Sequence, residues 1–306
     1  MRLTLAMLSI VACAASAGCV DTSRLVAQAS GTLVVRASEE LQRHWDDELI
    51  GEAMPSTIVQ IEGVFAVVPD DETIGLVMAR AYCAYAFGWV EDEADLAEAA
   101  GDMDEADRQR ARARHLYERA RNVVVHLLRQ RDRRLDEAIA GGPEPLARWL
   151  DQHVQSRDAA LLALWAGLSW GSAIGVSSGD PELVADLPIA RAFAERAVAY
   201  DETLDHGAGL TFVAGISSAM GEGLGGDPAR GQQIFEHALT LTGRRSFVVQ
   251  LAYAGTYAVT VQDRALFVTL LREIIDGGDP DPDARMGNRV ARRRAIHLLR
   301  RVDELF

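Results

Sequence analysis

His44, Asp47 and Glu48, in the run His44-Trp45-Asp46-Asp47-Glu48, fall within about one helical turn and carry the nitrogen and carboxylate donors that a divalent metal would take. No HExxH pattern or second ligating histidine accompanies them, so the run reads as a solvated helix face. Gly221-Glu222-Gly223-Leu224-Gly225-Gly226 satisfies G-x-G-x-x-G, yet no strand precedes it, a carboxylate sits inside it and Asp227-Pro228 then starts a helix. The βαβ context that gives the motif meaning is missing, and the stretch reads as an inter-helix loop. Cys83, flanked by Tyr82 and Tyr85, reads as a small buried apolar group rather than a redox thiol. All 31 basic residues are arginine, which removes Schiff-base and P-loop lysine chemistry. No nucleophile-elbow serine or Cys-His signature is present. The chain is therefore expected to bind rather than to catalyse, with no metal and no cofactor.

The residue types that could bind are aromatic and small. Met78, Tyr82, Tyr85 and Trp89 share one helical stripe, and with Trp165, Trp170 and Phe212 they form the richest aromatic supply in the chain. Such a stripe packs a core, or lines an apolar cavity whose Tyr hydroxyls and Trp amides orient a ligand. The uncharged run 159–176 carries Gly167, Gly171 and Gly175 at four-residue intervals. It is short for a membrane span, has no basic flank on the expected side and follows directly on Arg157-Asp158, so it reads as a central helix buried on all sides. Its glycines then mark a close helix contact or a groove. The ligand-cavity candidates are Tyr82, Tyr85, Trp89, Trp165, Gly167, Trp170, Gly171 and Phe212. Charge offers a second kind of surface: the C-terminal arginines Arg285, Arg289, Arg292, Arg293, Arg294, Arg300 and Arg301 stand against an acidic stretch from Glu91 to Asp107. These are solvated faces or docking poles that meet across an oligomer or on a partner protein, with Arg289, Arg292 and Arg293 as the partner-docking candidates. A formal charge of −14 argues against nucleic acid and against general anionic-membrane binding.

The elements that must position these residues read as helices throughout. The 306 residues, 49% hydrophobic and 25% charged, suit one large domain or two small ones. No sustained alternating run suggests a strand. Helices are expected near 36–50, 55–67, 71–100, 103–131, 145–153, 158–177, 188–200, 205–220, 228–242, 247–261, 263–276 and 284–304. Asp180-Pro181, Asp227-Pro228 and Asp281-Pro282 supply a capping carboxylate followed by a first-turn proline. Ala113…Tyr117…Ala120, Ala190…Ala194…Ala197 and Gly231…Phe235…Ala238 repeat one spacing of small and large residues. That spacing is the second helix of a tetratricopeptide-like hairpin repeat, in degenerate units longer than the ideal ~34 residues. The fold class is all-α, a tetratricopeptide-like helical-hairpin solenoid or bundle.

The first residues read as an export signal: Arg2, an apolar run, then Ser16-Ala17-Gly18-Cys19. Gly18-Cys19 is similar to a bacterial lipobox, with Cys19 the acylated mature N-terminus, although Ala15-Ser16-Ala17 also suits the ordinary signal peptidase. Only Cys19 and Cys83 would remain after cleavage, too few for a disulfide framework. The organisation is then 1–18 signal peptide, 19–35 lipidated tether and 36–306 one helical domain, attached to the membrane through its lipid alone.

Val67-Val68-Pro69-Asp70-Asp71-Glu72, the block from Ala81-Tyr82-Cys83 to Glu91-Asp92, and Asp180-Pro181-Glu182-Leu183-Val184-Ala185-Asp186-Leu187-Pro188 resemble the TatT family, tetratricopeptide-like lipoproteins associated with TRAP (tripartite ATP-independent periplasmic) transporters. Leu164-Trp165 through Ile174, Val261-Gln262-Asp263-Arg264, and Asn288 with Arg292-Arg293-Arg294-Ala295 extend the likeness over most of the mature chain. The resemblance implies a periplasmic lipoprotein and a homotrimer. It further implies a periplasmic solute-binding protein as partner and a channel for an apolar or organic-acid ligand. Val20 after the anchor implies the outer membrane. One departure is Gly207-Ala208-Gly209-Leu210-Thr211-Phe212-Val213, where the family carries a histidine and paired aromatics after Leu204-Asp205. The rival readings are a helical-repeat lipoprotein of another envelope assembly system and, more remotely, an envelope hydrolase or metal enzyme using His44 or the glycine-rich loop.

Overall fold

Aspartates punctuate the chain into helices. In the computed structural model, which describes residues 22–177, 180–220 and 226–306, Asp46, Asp71, Asp102, Asp180, Asp227, Asp263 and Asp281 each accept a backbone N–H of the succeeding turn. These carboxylates satisfy amides that a helix start leaves without partners and face the positive end of its dipole. The helices are α1 (Thr22–Arg43), α2 (Asp47–Val67), α3 (Glu72–Tyr85), α4 (Glu91–Ala99), α5 (Met103–Arg131), α6 (Leu135–Ala140), α7 (Pro143–His153), α8 (Arg157–Gly175), α9 (Pro181–Val184), α10 (Leu187–Tyr200), α11 (Ala208–Ala219), α12 (Pro228–Leu241), α13 (Phe247–Tyr253), α14 (Arg264–Asp276), α15 (Arg285–Arg300) and α16 (Val302–Leu305). Two π-helical turns, Ala86–Val90 and Ala254–Ala258, continue α3 and α13, and the described residues hold no strand. The fold is all-α.

Several boundaries differ from the sequence expectation. The first helix begins at Thr22, so much of the segment read as tether is helical. The break expected between residues 50 and 55 lies instead at His44–Asp46, where Asp46 caps α2 through Leu49 N at 3.0 Å. Pro55 then sits inside α2, sacrificing one hydrogen bond that the buried Ile50, Met54, Ile58 and Ile61 offset. The short α6 falls in a stretch where the sequence pattern predicts no helix. Cys19, the 1–18 segment and Gly221–Gly225 of the glycine-rich loop lie outside the described residues.

Neighbouring helices pack in succession: α3 on α5, α5 on α8, α8 on α10, α11 on α12, and α14 on α15. The repeated words fall at these contacts. Ala113, Tyr117, Ala120, Ala190, Ala194, Ala197, Phe235 and Ala238 are all buried. Gly167 shows why small residues are required: a Cβ there would lie 2.7 Å from the Ala190 carbonyl oxygen and 3.1 Å from Ala194 Cβ, so α8 and α10 meet almost backbone to backbone. The uncharged run 159–176 is buried along nearly its whole length in α8, as expected of a central helix. Tyr117, Phe193, Phe235, Tyr253 and Phe267 are the largest fully buried side chains, each contributing about 1.5–3 kcal/mol of apolar burial.

The last long helix turns back onto the first ones. α15 packs against α1 and α2 as well as α13 and α14, and its arginines reach α2, the first π turn and α4. Arg293 pairs with Asp47 and with Asp92 at 2.9 Å, and Arg294 with Glu91 at 3.2 Å and Asp95 at 3.1 Å. The arginine-rich and acidic stretches therefore meet within one chain instead of forming free poles.

Candidate functional site

The first π turn is where the site begins. Accommodating one more residue in its turn than an α-helix, it shifts the face presented by α4. Two of its carbonyls, of Phe87 and Gly88, accept from the α15 guanidiniums: Arg294 Nη1 donates to Phe87 O at 2.9 Å and Arg293 donates to Gly88 O. Phe87 lies under Arg294, 4.5 Å from guanidinium carbon to ring centre. With this turn fixed, α4 presents Glu91, Ala94 and Asp95 toward Arg110 of α5 and the end of α8. Phe87, Glu91, Ala94, Asp95, Arg110, Ser172, Gly175 and Val176 line a hollow of about 340 Å³.

Its charges are graded by depth. Glu91 accepts from the Tyr117 hydroxyl and from Arg294, and burial, with Glu91 beside it, holds the Tyr117 hydroxyl protonated far above its usual range. Burial works against the Arg294 charge, but the surrounding acidic groups, Glu91 and Asp95 foremost, together raise its pKa. Asp95 is nearer the surface, its side chain 44% exposed. Arg110 pairs with Glu98 and with Asp107 at 3.3 Å. Cys83, close behind, is buried, and burial pushes its thiol pKa up, so it packs as an apolar group. The arrangement presents mixed charge beside an apolar wall, which equips it to bind.

The aromatic candidates are gathered into packed clusters, and none of them belongs to this lining. Tyr82 donates to Glu62 and lies under Arg119. Tyr85 accepts from Arg112 at 2.9 Å and stacks on Trp89 with ring centres 6.2 Å apart. Trp89 fills the space over Gly51, whose missing side chain admits the indole, and lies under Arg293. Trp165 donates to Asp205 at 2.6 Å beside Arg80. Trp170 donates to Asp186 at 3.3 Å, and Phe212 occupies the space over Gly171. Gly167 serves the α8–α10 contact. Of the glycine stripe only Gly175 borders the hollow, and a Cβ there would touch nothing within 4 Å.

The altered segment 205–213 reaches a second, smaller hollow of about 120 Å³ through Asp205, His206, Ala208 and Thr211, together with residues of α15 and the start of α13. Asp205, His206 and Gly207 all take positive φ, an arrangement held by the Arg80 and Trp165 bonds to the Asp205 carboxylate.

The residues of the His44 run have other tasks. His44 Nδ1 accepts from Asp46 N at 3.0 Å, and Asp47 is taken by Arg289 and Arg293. No group of three or more His, Cys, Asp or Glu side chains converges among the described residues. Arg289, Arg292 and Arg293 are committed inside the chain, Arg292 to the Ile274 and Gly278 carbonyls. Sequence reasoning misses the hollow because Glu91 and Asp95 fall in a stretch read as solvated or docking charge and no motif singles out Arg110. The offsets of Phe87, Glu91 and Asp95 are the available signal, hidden by the π turn.

A family profile described as TRAP transporter T-component matches residues 43–306. No curated protein matches the chain.

Proposed function

The chain belongs to the TRAP transporter T-component family, which associates it with TRAP transport, and on that premise we propose that it is a periplasmic lipoprotein scaffold that holds the transporter's solute-binding protein and assists ligand hand-over without chemistry of its own. The observation that carries the reading is the preformed hollow of about 340 Å³ at the junction of α4, α5 and α8, braced by the returning α15. A small-molecule station with mixed polar and apolar walls is what a hand-over component needs. The closely paired helices and the buried small-residue words support a tetratricopeptide-like hairpin arrangement. Lipidation at Cys19, the outer-membrane leaflet and homotrimeric assembly complete the proposal.

Docking of the solute-binding protein is placed on the exposed apolar groups beside and along α2, Trp45, Leu49, Val59 and Val67. Where such groups adjoin in one patch they offer an association surface. Arg289, Arg292 and Arg293 then act indirectly, by holding α15 against that helix and its neighbours. The test is affinity capture of the native protein from detergent-solubilised envelopes. A co-purifying solute-binding protein supports the reading; recovery of components of another envelope assembly system, without it, contradicts it.

A further inference from the structure

The hollow's lining also indicates what it takes, an inference that rests on reading it as a ligand site. Asp95 uses Oδ2 to accept from Arg294 at 3.1 Å, and its Oδ1 has no protein partner among the described residues. Arg110 spends one Nη2 donor on Glu98 and one Nη1 donor on Asp107, leaving further N–H groups of a 29% exposed side chain at the wall. Both oxygens of Glu91 are already engaged, by Tyr117 and Arg294. Phe87, Ala94 and Val176 supply the apolar side. The volume lies at the small end of ligand sites, ~300–1,000 Å³. A plain organic acid would bring its charge against Asp95, and a plain amine would meet Arg110; a zwitterion satisfies both. We propose that this hollow binds a free α-amino acid with an apolar side chain, its ammonium on Asp95, its carboxylate on Arg110 and its side chain against Phe87, Ala94 and Val176.

Titration calorimetry of the purified full-length protein with L-leucine, 4-methylpentanoate and 3-methylbutylamine tests this. L-leucine is expected to bind at least tenfold more tightly than either analogue. Asp95→Asn and Arg110→Gln should each weaken leucine at least tenfold, Asp95→Asn also erasing the preference over 4-methylpentanoate. Gly175→Leu, placed where a side chain meets open space, should abolish binding while leaving the melting temperature within a few degrees. Equal binding of the acid, absence of leucine binding, or leucine binding untouched by Gly175→Leu would each overturn the assignment. Capture of the solute-binding protein does not depend on these outcomes, so the scaffold reading stands or falls separately.

Discussion

Asp205 holds a left-handed backbone conformation that costs an ordinary residue about 1–2 kcal/mol, and its carboxylate is gripped by Arg80 and Trp165. Asp205→Asn tolerates the same backbone but loses the charge, and is expected to lower unfolding free energy by about 1.5–3 kcal/mol, the range for hydrogen bonds to charged groups. Asp205→Val should lose more than Asp205→Asn, because a β-branched residue is strained at that φ. Urea midpoints of the two variants check the order. Asp132 offers a test by pH. The Arg134 side chain, then its N–H, hold the Asp132 carboxyl down at about 2, below the ~3.9 of an unfolded chain. The folded state thus binds fewer protons, and the stabilisation is complete above pH ~4 and lost as pH falls toward 2. Glu62, lowered by its Tyr82 hydrogen bond against burial and further by Arg119, acts with the same sign. Melting temperature should decline through that window, with a shallower slope in Asp132→Asn; an unchanged slope would show that Asp132 has no part in the acid sensitivity.

At the scale of the element, α15 carries the most consequence for its length. Arg294, its side chain only 14% exposed, bridges Glu91, Asp95 and the Phe87 carbonyl. Arg294→Met leaves two carboxylates without it and should destabilise by about 3–5 kcal/mol. Arg289 is 40% exposed on one carboxylate, so Arg289→Met should cost under about 1 kcal/mol. Losses under about 1 kcal/mol from both would mean that α15 is held by packing alone. The α8 glycines give a second contrast: Gly167→Ala forces a methyl against the α10 backbone and should cost about 1–3 kcal/mol, whereas Gly175→Ala should stay within about 0.5 kcal/mol. Chemical denaturation of the four variants reads these differences. Helix starts are legible in the sequence because Asp-Pro pairs act locally, as Asp180, Asp227 and Asp281 show. The displaced break at Asp46, the two π turns and α6 are not, since tertiary packing decides whether Pro55 interrupts a helix or a turn widens. The site is least legible: Arg294 and Glu91 are far apart in sequence, and only the return of α15 brings them together.

At the scale of the whole molecule, a succession of packed helices whose last long helix returns to the first described ones builds a body that presents a hollow at a charged seam and apolar residues beside α2. Each end of the described chain stabilises the other, so loosening α15 should loosen the hollow as well. Hydrogen exchange of Arg294→Met is expected to show faster exchange in α4 and the first π turn as well as in α15. Faster exchange in α15 alone would separate the seam from the site. The same surfaces are the ones that the proposed scaffold role would use. Sedimentation velocity of the purified protein mixed with the solute-binding protein of the same organism's TRAP transporter tests the proposed role most directly. A faster boundary containing both proteins, diminished by Leu49→Glu together with Val59→Glu, is the predicted result; two boundaries that sediment independently at micromolar concentrations would contradict it.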